Sequence, residues 1–168
     1  MSPPRRRIEP AAFSVRASLA FAEAALARPP AHPSVERPVL RGELVARFVL
    51  PLDLCPPTNR TRGRAGWAQA KTKAEAWKML LAQARFRVRE EPLPGRPQVI
   101  CVRFSPVESD PNSDWAKIPI DLLCIPKGRQ KHGLGFLPGD KWSETETRQR
   151  WEPAPRGQGC CYFEVRSG

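Results

Sequence analysis

The chain has 168 residues, in which 28 Lys and Arg outweigh 17 Asp and Glu to give a formal net charge of +11. This length predicts one domain with a substantial core. The charge predicts attraction to a polyanion, although an Arg-, Pro- and Ala-rich composition produces the same excess without any nucleic-acid function. No apolar run approaches transmembrane length, so no membrane partner is expected.

The five cysteines form no CxxC pair, and only two histidines accompany them. A zinc site is therefore not expected. Their odd number and the lack of a secretory signal predict reduced thiols in a cytoplasmic protein.

Residues 1–40 are rich in Pro, Ala and Arg, and Pro29, Pro30 and Pro33 would end any helix begun over 14–28. We expect a largely disordered tail with one helical segment, followed by a domain over 41–168.

Alternating apolar residues predict a first strand over 42–50. The basic loop 57–64 follows it and is either a DNA contact or a solvated surface loop. Apolar spacing of three and four predicts an amphipathic helix over 65–88, with Lys71 on its positive surface. A Val- and Ile-rich run predicts a central strand over 98–104. The loop's candidate DNA contacts are Asn59, Arg60, Arg62 and Arg64. The helix's predicted buried stripe is Trp67, Ala70, Ala74, Trp77, Leu81, Ala84 and Val88.

Clustered acids in the stretch 110–121 are unusual in so basic a chain. A helix beginning near Asp114 would carry Asp114, Lys117 and Asp121 on one face. Carboxylates of this kind hold hard cations such as Mg²⁺, whose remaining ligands are water and phosphate oxygens. In the alternative interpretation, Asp114 caps the helix, Lys117 and Asp121 form a surface pair, and Asp110 and Asp140 lie in turns.

The loop 126–133 is cationic, and Lys127, Arg129 and Lys131 are candidate phosphate contacts. His132 either assists catalysis or is simply solvated. Two further strands are predicted over 143–151 and 158–166, joined by a turn at 152–157. The resulting order of elements predicts an α+β fold, with a small mixed or antiparallel sheet of about four strands backed by two helices.

The stretch 110–140 resembles the core of the RusA-type Holliday-junction resolvases, and the turn after the first strand resembles theirs as well. Their pattern is an acid, a second acid followed by Asn, a Lys four residues on, an Asp four beyond that, and a glycine-led turn into two acids. Lys117, Asp121, Leu123, Gly135-Phe136 and Asp140 match it. Ser113 stands in place of the second acid, with Asp110 and Asp114 one residue off register, and the final acid pair is reduced to Gly139-Asp140.

The resemblance implies a RusA-like fold over about 43–166 and a homodimeric, Mg²⁺-dependent endodeoxyribonuclease that cleaves branched DNA, with Mn²⁺ as an alternative metal. It implies Asp110, Asp114 and Asp140 as metal ligands and Asp121 as an outer-shell acid. Lys117 would act with Asp114 and Asp140 in catalysis, contacting the phosphate or the attacking water. Either the ligands come from shifted positions, or the chain is a diverged member with weakened or lost cleavage.

Two other functions remain open. One is a nucleic-acid-binding module that keeps this fold without its cleavage. The other is a protein-interaction domain whose basic charge reflects only genome composition.

Overall fold

A four-stranded mixed sheet forms the centre of the fold in the computed structural model, which describes residues 12–30, 36–57, 66–110 and 112–168. The strands lie in the order β1-β4-β2-β3, with β3 parallel to β2 and the other pairs antiparallel. They are β1 (Leu44–Leu50), β2 (Gln98–Ser105), β3 (Glu146–Pro153) and β4 (Cys160–Arg166). The α+β class and the four predicted strands are confirmed.

The described residues contain three α-helices, α1 (Val15–Ala27), α2 (Gly66–Gln83) and α3 (Lys117–Leu123), and one short 3-10 helix, Leu52–Leu54. Helices α2 and α3 cover one face of the sheet over a core that includes Phe48, Val99 and Phe163. Helix α1 covers the other face over Val49, Ile100 and Tyr162. The sheet is therefore covered on both faces, whereas the sequence predicts only two backing helices.

Helix α1 belongs to the folded core, although its residues fall within the predicted tail. Ser14 caps its first turn by accepting from the Ala17 amide, and Phe21 contacts Phe104 edge-to-face at 5.4 Å. At its other end the Arg37 guanidinium donates to the carbonyls of Leu26 and Arg28. Arg37 is thus a side-chain cap for a helix whose last carbonyls have no partner within the helix.

The predicted amphipathic helix is confirmed at Gly66–Gln83, but its predicted buried stripe is wrong at both ends and also at Ala70 and Ala74, which are exposed. Trp67 is 73% exposed and Val88 48% exposed, while Ala76 and Leu80 are fully buried. The small alanines leave the helix face ambiguous in the sequence, and the packing of Leu80 against the sheet decides it. The Gln83 amide then ties the end of α2 to β1, because it both donates to the Val49 carbonyl and accepts from the Val49 amide at 2.8 Å.

Segment 134–137 runs beside the end of α3 and holds it in place. Leu134 and Phe136 donate their amides to the carbonyls of Leu122 and Leu123 at 2.8 and 2.9 Å. Gly135 has a φ of +76°, and a Cβ there would lie 2.2 Å from the Arg89 carbonyl oxygen. Only glycine fits this crossing without displacing backbone.

All five cysteines are buried and unpaired in disulfides. No described helix is long and apolar enough to cross a membrane.

We predict that Gly135→Ala lowers the free energy of unfolding by about 3 kcal/mol, from left-handed strain plus displacement of a packed carbonyl. Gly128→Ala is the matched control, because Gly128 has a φ of +59° but open space around its Cβ position. The control should lose only about 1 kcal/mol from strain alone. Urea unfolding measures both values, and equal losses would contradict the close approach at Arg89.

Candidate functional site

An open cleft of about 370 Å³ lies between the beginning of α2 and the exposed side of α3. Two carboxylates, Asp114 and Asp121, and two ammonium groups, Lys73 and Lys117, line it. Gly66, the first residue of α2, borders the same space. The amino end of a helix favours anions, so the cleft combines features that suit a phosphate group with features that suit a cation.

Lys117 joins two acids that lie far apart in the chain. Its Nζ donates to Asp121 Oδ1 at 2.9 Å and also to Asp140 Oδ2. Lys73 approaches Asp121 Oδ2 at 3.8 Å from α2. The Lys117–Asp121 pair expected from i,i+4 spacing is therefore present, but it forms part of a four-residue network.

The network fixes the charge state of its members. Partial burial lowers the pKa of Lys117, but the hydrogen bonds to Asp140 and Asp121 outweigh that effect and hold it well above its ordinary value. The hydrogen bond from Lys117 holds the pKa of Asp140 below its ordinary value. Lys117 therefore stays an ammonium group near neutral pH, able to donate hydrogen bonds but unable to accept a proton.

Asp114 is held differently from the other acids. Its Oδ1 accepts a hydrogen bond at 3.0 Å from Gln149 Nε2 on β3. It forms no ion pair with the residues that the structure describes, and it does not cap α3, whose N-cap position is Ala116. Within the described ranges, Asp114 is thus the cleft carboxylate that no ammonium or guanidinium group pairs with.

Asp110 lies outside the cleft, in an exposed turn. Its Oδ1 accepts from the Asn112 amide and its carbonyl accepts from the Ser113 amide, both at 2.9 Å. Ser113, which stands at the family's second acid position, is 7% exposed and does not line the cleft. Its hydroxyl has no hydrogen-bond partner among the described residues. The next residue, Asp114, faces the cleft in its place.

The predicted site residues are therefore brought together only in part. Asp114, Lys117 and Asp121 share one cleft, Asp140 reaches it through Lys117, and Asp110 stays apart. No three His, Cys, Asp or Glu side chains converge as a ligand group within the described ranges. The two cleft carboxylates still fit Mg²⁺ in kind and number, because that ion commonly takes one or two carboxylates and completes its shell with water and substrate phosphates.

The predicted cationic loop borders this network. Its Lys127, Arg129 and Lys131 are exposed, as is Lys71 on α2. Gln130 anchors the loop by donating to the Asp121 and His132 carbonyls. His132 stacks on Trp77 of α2 with ring centroids 5.2 Å apart. It therefore has a packing role, where the sequence suggests only catalysis or solvation.

Four of the predicted DNA contacts lie outside the described residues. They are Asn59, Arg60, Arg62 and Arg64.

Three residues of this region, Lys73, Gln130 and Gln149, are not identified by the sequence. Lys73 could have been found from its place near the start of a basic helix. Gln149 carries no such signal, because its contact with Asp114 depends on β3 lying at the sheet edge beside β2.

No protein-family model, curated protein or solved structure matches the chain. The resemblance to the RusA-type resolvases therefore stays a prediction from the residues that carry it.

We predict that Lys117→Met returns the pKa of Asp140 toward its ordinary value, because the hydrogen bond from Lys117 is the main cause of the lowering. A carboxyl whose pKa is lowered by folding stabilises the protein above its unfolded pKa, and this contribution is lost as the pH falls through the folded pKa. The stability difference between the wild type and Lys117→Met should therefore shrink on acidification through that range.

Carboxyl-carbon NMR titration gives the Asp140 pKa directly, and urea unfolding across the acidic range gives the stability difference. Lys73→Met is the matched control, because Lys73 contacts Asp121 but not Asp140. An Asp140 pKa that moves equally in both variants would contradict a specific bridge from Lys117.

Proposed function

We propose that this chain is a Mg²⁺-dependent endodeoxyribonuclease that hydrolyses phosphodiesters in branched DNA. The observation that carries the proposal is the cleft in which Asp114, Asp121, Lys73 and Lys117 meet at the start of α2. The formal net charge of +11 supports a polyanionic substrate. The choice of branched DNA comes from the family resemblance alone.

In this proposal the positive groups of the cleft receive the scissile phosphate. Lys117 and Lys73 supply ammonium hydrogen bonds, and the amino end of α2 adds its partial positive charge. Because Lys117 remains protonated, it can donate to a phosphate oxygen or to the attacking water. Asp121 and Asp140 hold its side chain, which is 46% exposed, in place.

The carboxylates of the cleft would hold the metal. When bound, Mg²⁺ supplies an activated water and stabilises negative charge that develops on the phosphate. Asp114 is the first choice of ligand, because no cation pairs with it among the described residues and Gln149 orients one of its oxygens. Asp121 is better suited to the outer shell, since Lys117 and Lys73 already approach its two oxygens. Asp140 serves chiefly to position Lys117.

A second candidate is a nucleic-acid-binding module without cleavage. The position of Lys117 favours it, because its ammonium group lies between the carboxylates of Asp121 and Asp140. An ammonium there supplies the positive charge that a metal would otherwise bring to these acids.

We predict that Asp114→Asn reduces cleavage of a four-way junction about a hundredfold or more, because it removes a charged ligand while keeping the shape. Binding of the junction should persist. Gel analysis of labelled strands in Mg²⁺ measures cleavage, and fluorescence anisotropy measures binding.

Asp110→Asn is the matched control, since it removes the same charge from an exposed turn outside the cleft, and it should retain most activity. Equal losses of cleavage in the two variants would support Asp110, Asp114 and Asp140 as the metal ligands and would contradict a metal site formed by the cleft carboxylates. A wild-type protein that binds junctions but leaves them intact with both Mg²⁺ and Mn²⁺ would support the non-catalytic module.

We also propose a homodimer, which would present two clefts to a two-fold symmetric junction. The sequence also offers Trp67, Trp77 and Phe163 as apolar side chains for a dimer contact. Trp67 is 73% exposed and Trp77 is half-buried, but Phe163 is fully buried in the core. We predict the mass of a dimer by light scattering at micromolar concentration. A monomer mass over a wide concentration range would contradict this.

A further inference from the structure

A second polar cavity, of about 260 Å³, lies on the opposite side of β3 from the cleft network. Segment 36–41 forms one wall and β3 forms the other, with Ile100 of β2 in the lining. Four arginines line it: Arg37, Arg41, Arg148 and Arg150. We call this cavity the arginine pocket.

Each buried acid at the arginine pocket faces two guanidinium groups. Glu146 lies 3.1 Å from Arg148 and 4.0 Å from Arg41. Glu152, just beyond the lining, lies 3.2 Å from Arg150 and 3.3 Å from Arg37. Glu36 is the other acid among the described lining residues, so the four arginines outnumber these three glutamates.

The charged form of Arg150 is disfavoured at this pocket, and a bound anion would stabilise it. Burial lowers the pKa of Arg150, and the positive charge of Arg37 lowers it further. Glu152 opposes this effect only in part. An additional anion between these arginines would offset both the desolvation and the repulsion.

Trp142 extends the positive surface beyond the pocket. The side chain is 60% exposed, and the Arg96 and Arg148 guanidiniums lie 4.5 and 5.5 Å from its ring centroid. Arg96 forms no ion pair with any described residue. The indole therefore holds two cations close together at the surface, one of them also part of the pocket.

One residue of β3 connects the arginine pocket to the cleft. Gln149 lines the pocket, and its side-chain amide donates to Asp114 at the cleft. A polyanionic strand that occupied the cleft could continue across the β3 edge into the pocket.

We propose that the arginine pocket binds backbone phosphates of the DNA strand that leaves the cleft, with Arg41 and Arg148 as the main exposed contacts. The choice of DNA as ligand rests on the proposed function. A guanidinium presents a planar fork of donors that matches phosphate oxygens. Arg96 on Trp142 provides the next contact along the strand. The pocket takes no part in hydrolysis. It lengthens the stretch of DNA that the protein contacts.

The test measures the salt dependence of DNA binding by fluorescence anisotropy on a labelled four-way junction. The double variant Arg41→Gln/Arg148→Gln removes two exposed guanidiniums, with side chains 73% and 52% exposed, and leaves Arg37 and Arg150 to pair with Glu152. The matched control Arg87→Gln/Arg156→Gln removes the same charge from exposed positions away from the pocket. Circular dichroism confirms that both variants fold.

We expect the slope of log affinity against log salt to fall by about 2 in the pocket variant, because each lost phosphate contact removes close to one unit. The control slope should change by well under one unit. Equal changes in the two variants would overturn the proposal, since the arginines would then contribute only general charge and neutralisation of Glu146.

Two further readouts separate the pocket from the nuclease proposal. If the pocket variant shows the expected slope change but the wild type cleaves nothing, the pocket stands and the nuclease proposal fails. If the wild type cleaves and the slopes of the two variants do not differ, only the proposal for the pocket is contradicted.

A titration with labelled polyglutamate tests whether the pocket instead binds an acidic polypeptide. Selective loss of polyglutamate binding in the pocket variant, with DNA binding unchanged, would overturn the assignment to DNA.

Discussion

The candidate site depends on one ammonium group, that of Lys117, lying between the carboxylates of Asp121 and Asp140. This contact ties the first turn of α3 to the end of the loop that returns beside it. Backbone hydrogen bonds from Leu134 and Phe136 hold the same two segments together along their length. Ion pairs therefore join the two ends of the segment 117–140, and backbone hydrogen bonds join its two halves. Both sets of contacts fix the position of α3, which forms one side of the cleft.

The same contact explains why the acids of this segment are not equivalent. Asp121 and Asp140 share the Lys117 ammonium group, while the hydrogen bond that Asp114 receives from the described residues comes from the neutral amide of Gln149. A carboxylate that forms no ion pair retains more affinity for a metal ion than one that already shares its charge with an ammonium group. The electrostatics therefore single out Asp114, which lies one residue away from the position where the resemblance to the RusA-type resolvases predicts an acid.

Strand β3 connects the two polar surfaces of the molecule. It pairs with β2 along one side, and no described strand pairs with its other edge. Alternation along the strand sends Arg148 and Arg150 to the face that carries α1 and Gln149 toward Asp114. One short strand thus contributes to the cleft, which is lined by both acids and lysines, and to the positive arginine pocket.

The sequence alone determined the elements and much of their chemistry. Alternation identified β1 and β4, and a Val- and Ile-rich run identified β2. The helical period identified α2, and i,i+4 spacing identified the Lys117–Asp121 pair, because each signal arises within a few residues of chain. Tertiary structure decided the rest. It joined Lys117 to Asp140 across 23 residues, Gln149 to Asp114 across 35, and Arg37 to Glu152 across 115. It also packs α1, whose residues fall within the predicted tail, against the sheet. Such contacts follow from the order of strands in the sheet, and local periodicity does not encode that order.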